Sequence, residues 1–172
     1  NAAGTITFST DEAITVNNSI TVAQFNYLAA NNDGVITATI SEGDMLTLGG
    51  ITPLGNALSI TVTAEVVLAA ELNSLDSKTT IDLTVNSSRI NGSAADLITA
   101  YTATGSINGL GNEAVTITDF ININEANTIN ALTAGVVKAT IEIGSVANLN
   151  SLTETGNIYA VTVNDVLLDA GG

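Results

Sequence analysis

The sequence predicts an α/β solenoid, with short parallel strands stacked in one sheet and short helices or turns on its other side. Three observations carry this expectation. The 172-residue chain aligns with itself without a gap at an offset of 101 residues, 4–71 falling on 105–172. An apolar-Thr-apolar triplet recurs at an interval close to 22 residues, the scale of one solenoid coil. Between triplets, apolar residues fall three or four apart, which is helical spacing. The whole of 1–172 reads as one solenoid domain, with 72–104 as the middle of the first long repeat.

The long repeat is carried by segments that keep their length. Gly34-Val-Ile-Thr-Ala-Thr-Ile40 meets Gly135-Val-Val-Lys-Ala-Thr-Ile141, Gly55-Asn56 meets Gly156-Asn157, and Thr61-Val62 meets Thr162-Val163. Roughly three residues in ten are identical, and coil length is what a repeat architecture preserves.

The strands are expected at seven triplets. They are Ile14-Thr15-Val16, Ala38-Thr39-Ile40, Ile60-Thr61-Val62, Leu83-Thr84-Val85, Val115-Thr116-Ile117, Ala139-Thr140-Ile141 and Val161-Thr162-Val163. Alternation of period two sends both apolar side chains to one face and the threonine to the other. Helices are expected over 22–29, 67–75, 94–101, 125–132 and 146–152, the last capped by Ser145. The stretch from Gly43 to Leu54, with Gly49-Gly50 and Pro53, is the weakest helix former. Gly34, Gly55, Gly135 and Gly156 follow such stretches, where a left-handed residue ends a helix. The coil starting at Lys78 is longer, and its excess, 88–93 or 106–111, is expected to bulge as a loop. A three-faced parallel β-helix is the alternative. The Ala-rich stretches argue against it, because Ala is depleted in strands.

Composition excludes several function classes. Seventeen acids face three bases, Lys78, Arg89 and Lys138, for a formal charge of −14. Nucleic acid and anionic membranes need clustered cations, so neither is an expected partner. No apolar run reaches the roughly 18 residues of a membrane span. The absence of Cys and His removes disulfides, thiol catalysis and a Ser-His-Asp set. The carboxylate pairs Asp11-Glu12 and Asp119-Glu125 read as solvated turn residues, no phosphate-cradling loop is present, and the chain is not expected to be an enzyme. Asn-x-Ser triplets at Asn17, Asn86 and Asn91 are expected by chance in so polar a chain.

Two groups of residues are candidates for a site. Stacked coils would align Thr15, Thr39, Thr61, Thr84, Thr116, Thr140 and Thr162 into one surface ladder. Thr is a good strand residue for packing alone. The same ladder could also present ordered hydroxyls to ice, mineral or glycan, with partial second columns at Thr37, Thr63 and Thr118. Asp33, in Asn31-Asn32-Asp33-Gly34, and Asp119 with Glu125 are the candidate metal ligands, and calcium is the cation that would suit them. Asn-Asp-Gly is also a common turn. No cofactor is otherwise expected.

With the Gly34–Ile40 and Gly135–Ile141 motifs side by side, the chain resembles repeats of very long secreted or cell-surface proteins of bacteria, including those of marine cyanobacteria. The resemblance implies an extracellular scaffold, adhesin stalk or fibre. The coil is also similar to leucine-rich repeats in its strand-plus-helix plan, and departs from them in lacking the Leu-x-x-Leu-x-Leu-x-x-Asn pattern. Uncapped solenoid ends expose strand edges. The run Asp169-Ala-Gly-Gly172 could lead into Asn1-Ala-Ala-Gly-Thr-Ile-Thr-Phe8 of another copy, so head-to-tail self-association is expected.

Overall fold

The computed structural model describes residues 11–52, 55–143, 145–153 and 155–163. The segments 1–10 and 164–172, where the head-to-tail join is expected, lie outside the described residues. The chain runs β1 (Ile14–Thr15), α1 (Val22–Ala29), β2 (Ile36–Thr39), α2 (Met45–Leu48), β3 (Ala57–Val62), β4 (Val66–Leu68) and α3 (Ala69–Asp76). It continues through β5 (Leu83–Val85), β6 (Arg89–Gly92), α4 (Ala94–Thr102), β7 (Ile107–Asn108), β8 (Ala114–Ile121) and α5 (Ile123–Asn130). The last elements are β9 (Val137–Ile143), a 3-10 helix (Val146–Ser151) and β10 (Ile158–Val163).

Among the described residues the strands form two sheets of five rather than the single sheet expected, in the orders β1-β2-β3-β5-β7 and β10-β9-β8-β6-β4. Neither sheet closes into a barrel. Every strand pairing between neighbours is parallel. Paired residues lie 20 to 25 apart in sequence, from Thr37 opposite Ala57 to Arg89 opposite Ala114. The second sheet arises because the middle of the chain lays down two strands before each helix. Thr63, Ala64 and Glu65 turn the chain from β3 into β4, and Thr63 N–H donates to the Gly43 carbonyl at 2.9 Å across that corner.

All seven triplets contribute to strands; the apolar members of the middle five are buried, those of Ile14-Thr15-Val16 are half-buried and those of Val161-Thr162-Val163 are exposed. Ile36, Leu58, Ile60, Leu83, Val137 and Ile141 are buried, with Thr37, Ser59, Thr61, Thr84 and Lys138 exposed between them. The helices close the core with the residues spaced three and four apart: Val22 and Phe25 from α1, Leu72 and Leu75 from α3, Leu97 and Tyr101 from α4, Ala126 and Ile129 from α5. One continuous apolar cluster results. Removing about 25 cal/mol per Å² of apolar surface from water is the main force holding it.

Local chemistry sets the helix starts. Thr21 with Gln24 and Asn122 with Glu125 form capping boxes at α1 and α5, each satisfying two otherwise orphaned N–H groups. Ser145 Oγ accepts from Ala147 N–H at 3.2 Å, as expected of a cap. The stretch judged least helical forms one turn, α2, because Asp44 Oδ1 accepts from Thr47 N–H at 2.8 Å. That backbone bond holds the Asp44 carboxyl below its ordinary 3.8.

Three expectations are corrected. The excess of the long coil is not a loop. Segment 88–93 contains β6, and 106–111 contains β7, a rung whose Asn108 stands opposite Thr84 where a threonine had marked the others. The stretch 67–75 starts as strand, since Val67 pairs with Ile90 before α3 begins. Of the four glycines expected to be left-handed, Gly55 (φ 81°) and Gly156 (φ 97°) are. Gly34 and Gly135 are not. A side chain at Gly34 would collide with the Glu12 carbonyl and one at Gly135 with the Glu113 carbonyl, so close approach of neighbouring backbone is what selects glycine there.

Candidate functional site

The hydroxyl-bearing residues divide between the sheets. Thr15, Thr39, Thr61 and Thr84 stand on the first, and Thr116, Thr140 and Thr162 on the second. On the first sheet Thr15 lies opposite Thr37, Thr39 opposite Ser59, and Thr61 opposite Thr84. All six of these hydroxyl residues are exposed. The result is a small, polar face, with Asn108 opposite Thr84 at its far edge.

The single continuous ladder is therefore corrected. Unequal coil lengths shift the register, so Thr37 rather than Thr39 takes the position beside Thr15. On the second sheet Thr116 sits between Asn91 and Lys138, Thr140 between Phe120 and Ala160, and Thr162 opposite Glu142. A two-residue register change in β8 between Thr116 and Phe120 produces this mismatch.

The candidate metal ligands hold backbone instead of converging. Asp119 Oδ1 accepts from Ala94 N–H at 2.9 Å, at the start of α4 in the preceding coil. Glu125 Oε2 accepts from Asn122 N–H at 2.9 Å within its capping box. Asp33 is exposed in a turn where Asn32 Nδ2 donates to the Gly34 carbonyl at 2.9 Å. Among the described residues no three carboxylates gather at one point.

Sequence reasoning missed this structural use of acids. Glu42 behaves like Asp119: its Oε2 accepts from Val22 N–H, the first residue of α1, at 3.1 Å. In both cases an acid from the next coil sits at the positive end of a helix dipole. Donor and acceptor are 20 and 25 residues apart, so no local motif announces them.

Glu113, the counterpart of exposed Glu12, is buried. Its Oε2 accepts from Gly111 N–H at 2.8 Å, Asn112 N–H at 3.2 Å and the Tyr101 hydroxyl at 3.1 Å. Burial, then the adjacent Glu113 carboxylate, push the Tyr101 hydroxyl well above its ordinary 10. This is a fixed, saturated cluster, with its acceptor oxygen fully used.

The three bases have different fates. Lys78 Nζ donates to the Gly49 and Ile51 carbonyls at 2.7 Å each, at the carbonyl end of α2. Arg89 and Lys138 are exposed on the outward face of the second sheet. The aromatics also divide: Phe25 and Tyr101 are buried, while Tyr27 and Phe120 are 72% and 67% exposed. Among the described residues no helix is long and apolar enough to cross a membrane. No protein-family model, curated protein or solved structure matches this chain.

Proposed function

We propose that the chain is an extracellular α/β solenoid whose role is structural, building a fibre, stalk or surface layer by head-to-tail stacking. The observation that carries this reading is the open edge of the second sheet. Among the described residues strand β10 pairs with β9 alone, and its Val161 and Val163, in register with buried Ile141 and Ile143, remain 39% and 37% exposed. Their register with a buried column makes them the next layer of the core, and a further parallel strand would cover them. Parallel pairing at intervals of 20 to 25 residues throughout supports the same plan. A heterologous contact whose rotation does not close propagates into a filament.

Electron microscopy and sedimentation at rising concentration, in ~0.15 M salt to screen the acidic charge, test it. Filaments or steadily growing species are expected, and Val161→Glu with Val163→Glu should return the protein to monomers. Dispersed wild-type monomers at high concentration would overturn the proposal. A second reading, an interaction surface for ice, mineral or glycan, is favoured by the exposed pairs Thr15–Thr37, Thr39–Ser59 and Thr61–Thr84. It requires thermal hysteresis or crystal affinity that Thr61→Tyr abolishes.

A further inference from the structure

The outward face of the second sheet carries a pocket unlike the hydroxyl face of the first. It has a volume of about 510 Å³ and is lined by Arg89, Asn91, Thr116, Val136, Lys138 and Ile158, together with Ala114 and Val115. That size is within the ~300–1,000 Å³ of typical small-molecule sites. In a chain of charge −14 it gathers two of the three bases, and among the described residues no carboxylate lines it.

The register explains the convergence. Arg89 on β6 pairs with Ala114, and Lys138 on β9 pairs with Thr116, so both cations flank the small side chains of β8. Two strand spacings, about 9.6 Å, separate β6 from β9. Long side chains from either side can thus reach one anionic group held over Ala114 and Thr116. Arg and Lys would hold a carboxylate there by charge-assisted hydrogen bonds.

The other lining groups narrow the ligand. Thr116 can both donate to and accept from a ligand hydroxyl, and the Asn91 opposite it also lines the pocket. Exposed Val136 and Ile158 offer apolar surface. One step along the same face from Lys138, Phe120 lies opposite Thr140 with its ring exposed. Carboxylate, donor hydroxyls and a flat apolar side occur together in a sugar acid.

We propose that this pocket binds a short saccharide bearing a carboxylate, a uronic acid, through Arg89 and Lys138, with Thr116 hydrogen-bonding a sugar hydroxyl. The site lies on a different sheet from the hydroxyl face and meets the edge strand β10 only through Ile158, whereas the stacking variants change Val161 and Val163, so the two tests stay distinguishable.

Calorimetric titration with digalacturonic acid, its dimethyl ester and lactose decides the matter. The acid should bind, and the ester and lactose at least tenfold more weakly. Arg89→Gln and Lys138→Gln should each weaken the acid at least fivefold, while Thr84→Gln on the other sheet leaves it unchanged. Thermal unfolding of each variant should match wild type, because these side chains are exposed. Equal binding of acid and ester to the wild-type chain would overturn the proposal regardless of how the variants fold. So would no binding of the acid, or unchanged affinity in both charge variants.

Discussion

Gly34 and Gly135 occupy equivalent places in the long repeat, and each is pressed against the carbonyl of the residue 22 positions earlier, Glu12 or Glu113. A methyl group at Gly135 meets rigid backbone, including Ala114 N at 2.8 Å, so the strand itself must move. Gly135→Ala is expected to destabilise by about 1–3 kcal/mol or more, the usual cost of overpacking. Gly55→Ala meets nothing within 4 Å but forces a left-handed alanine, at roughly 1–2 kcal/mol. Chemical denaturation measures both. A neutral Gly135→Ala would mean the strands can spread there. The glycine positions were visible in the sequence, but their reason was not, since a helix-ending glycine and a crowded glycine look alike without the neighbouring coil.

Tyr101 adds a pH dependence at the same scale. Its hydroxyl value is raised in the folded chain, so protonated Tyr101 is favoured by folding. Its contribution is fully present below the ordinary value of 10. It is lost as pH rises from there toward the folded value, because the unfolded chain ionises first. Phenolate absorbance should therefore show a late step that Tyr101→Phe removes, with native stability falling across that window. A Tyr101 that ionises at its ordinary value would contradict the buried Tyr101–Glu113 contact.

Among the elements, the starts of β2 and β9 are bound by side chains rather than by ladder partners. Asn56 Oδ1 accepts from Ile36 N–H at 2.7 Å, and Asn157 Oδ1 accepts from Val137 N–H at 2.8 Å. Asn26 and Asn127 make a second equivalent pair, donating to the Gly50 carbonyl at 2.8 Å and the Ser151 carbonyl at 2.8 Å. Asn56→Ala strands a buried N–H, and a loss of about 1–3 kcal/mol is expected from thermal or urea unfolding. Asn56→Asp keeps an acceptor in place and should recover part of it. The Gly-Asn dipeptides stood out in the sequence as shared residues. What they bind was hidden, because the acceptor side chain and its donor lie 20 residues apart.

Across the whole molecule, the 101-residue offset seen in sequence recurs in the elements. Helices Val22–Ala29 and Ile123–Asn130, and strands Ala57–Val62 and Ile158–Val163, coincide under it. Yet β1, β2 and β3 belong to the first sheet while β8, β9 and β10 belong to the second. Equivalent sequence thus occupies different sheets. Coil length and apolar alternation made the strands legible, because both act within a few residues. The division into two sheets was not legible, since β4, β6 and β7 lack the Thr-centred triplet. The pocket flanked by Arg89 and Lys138 was equally hidden, because it depends on register across β8.

The short interval between paired strands has a mechanical consequence. When tension is applied to the two termini, an edge strand can detach while the next pairing stays intact, so the chain should pay out in small steps. A winding of about 22 residues yields at most ~75 Å of slack at full extension. Single-molecule stretching should therefore record a staircase of modest, similar extensions. One long rip spanning the entire chain would mean that the windings yield together.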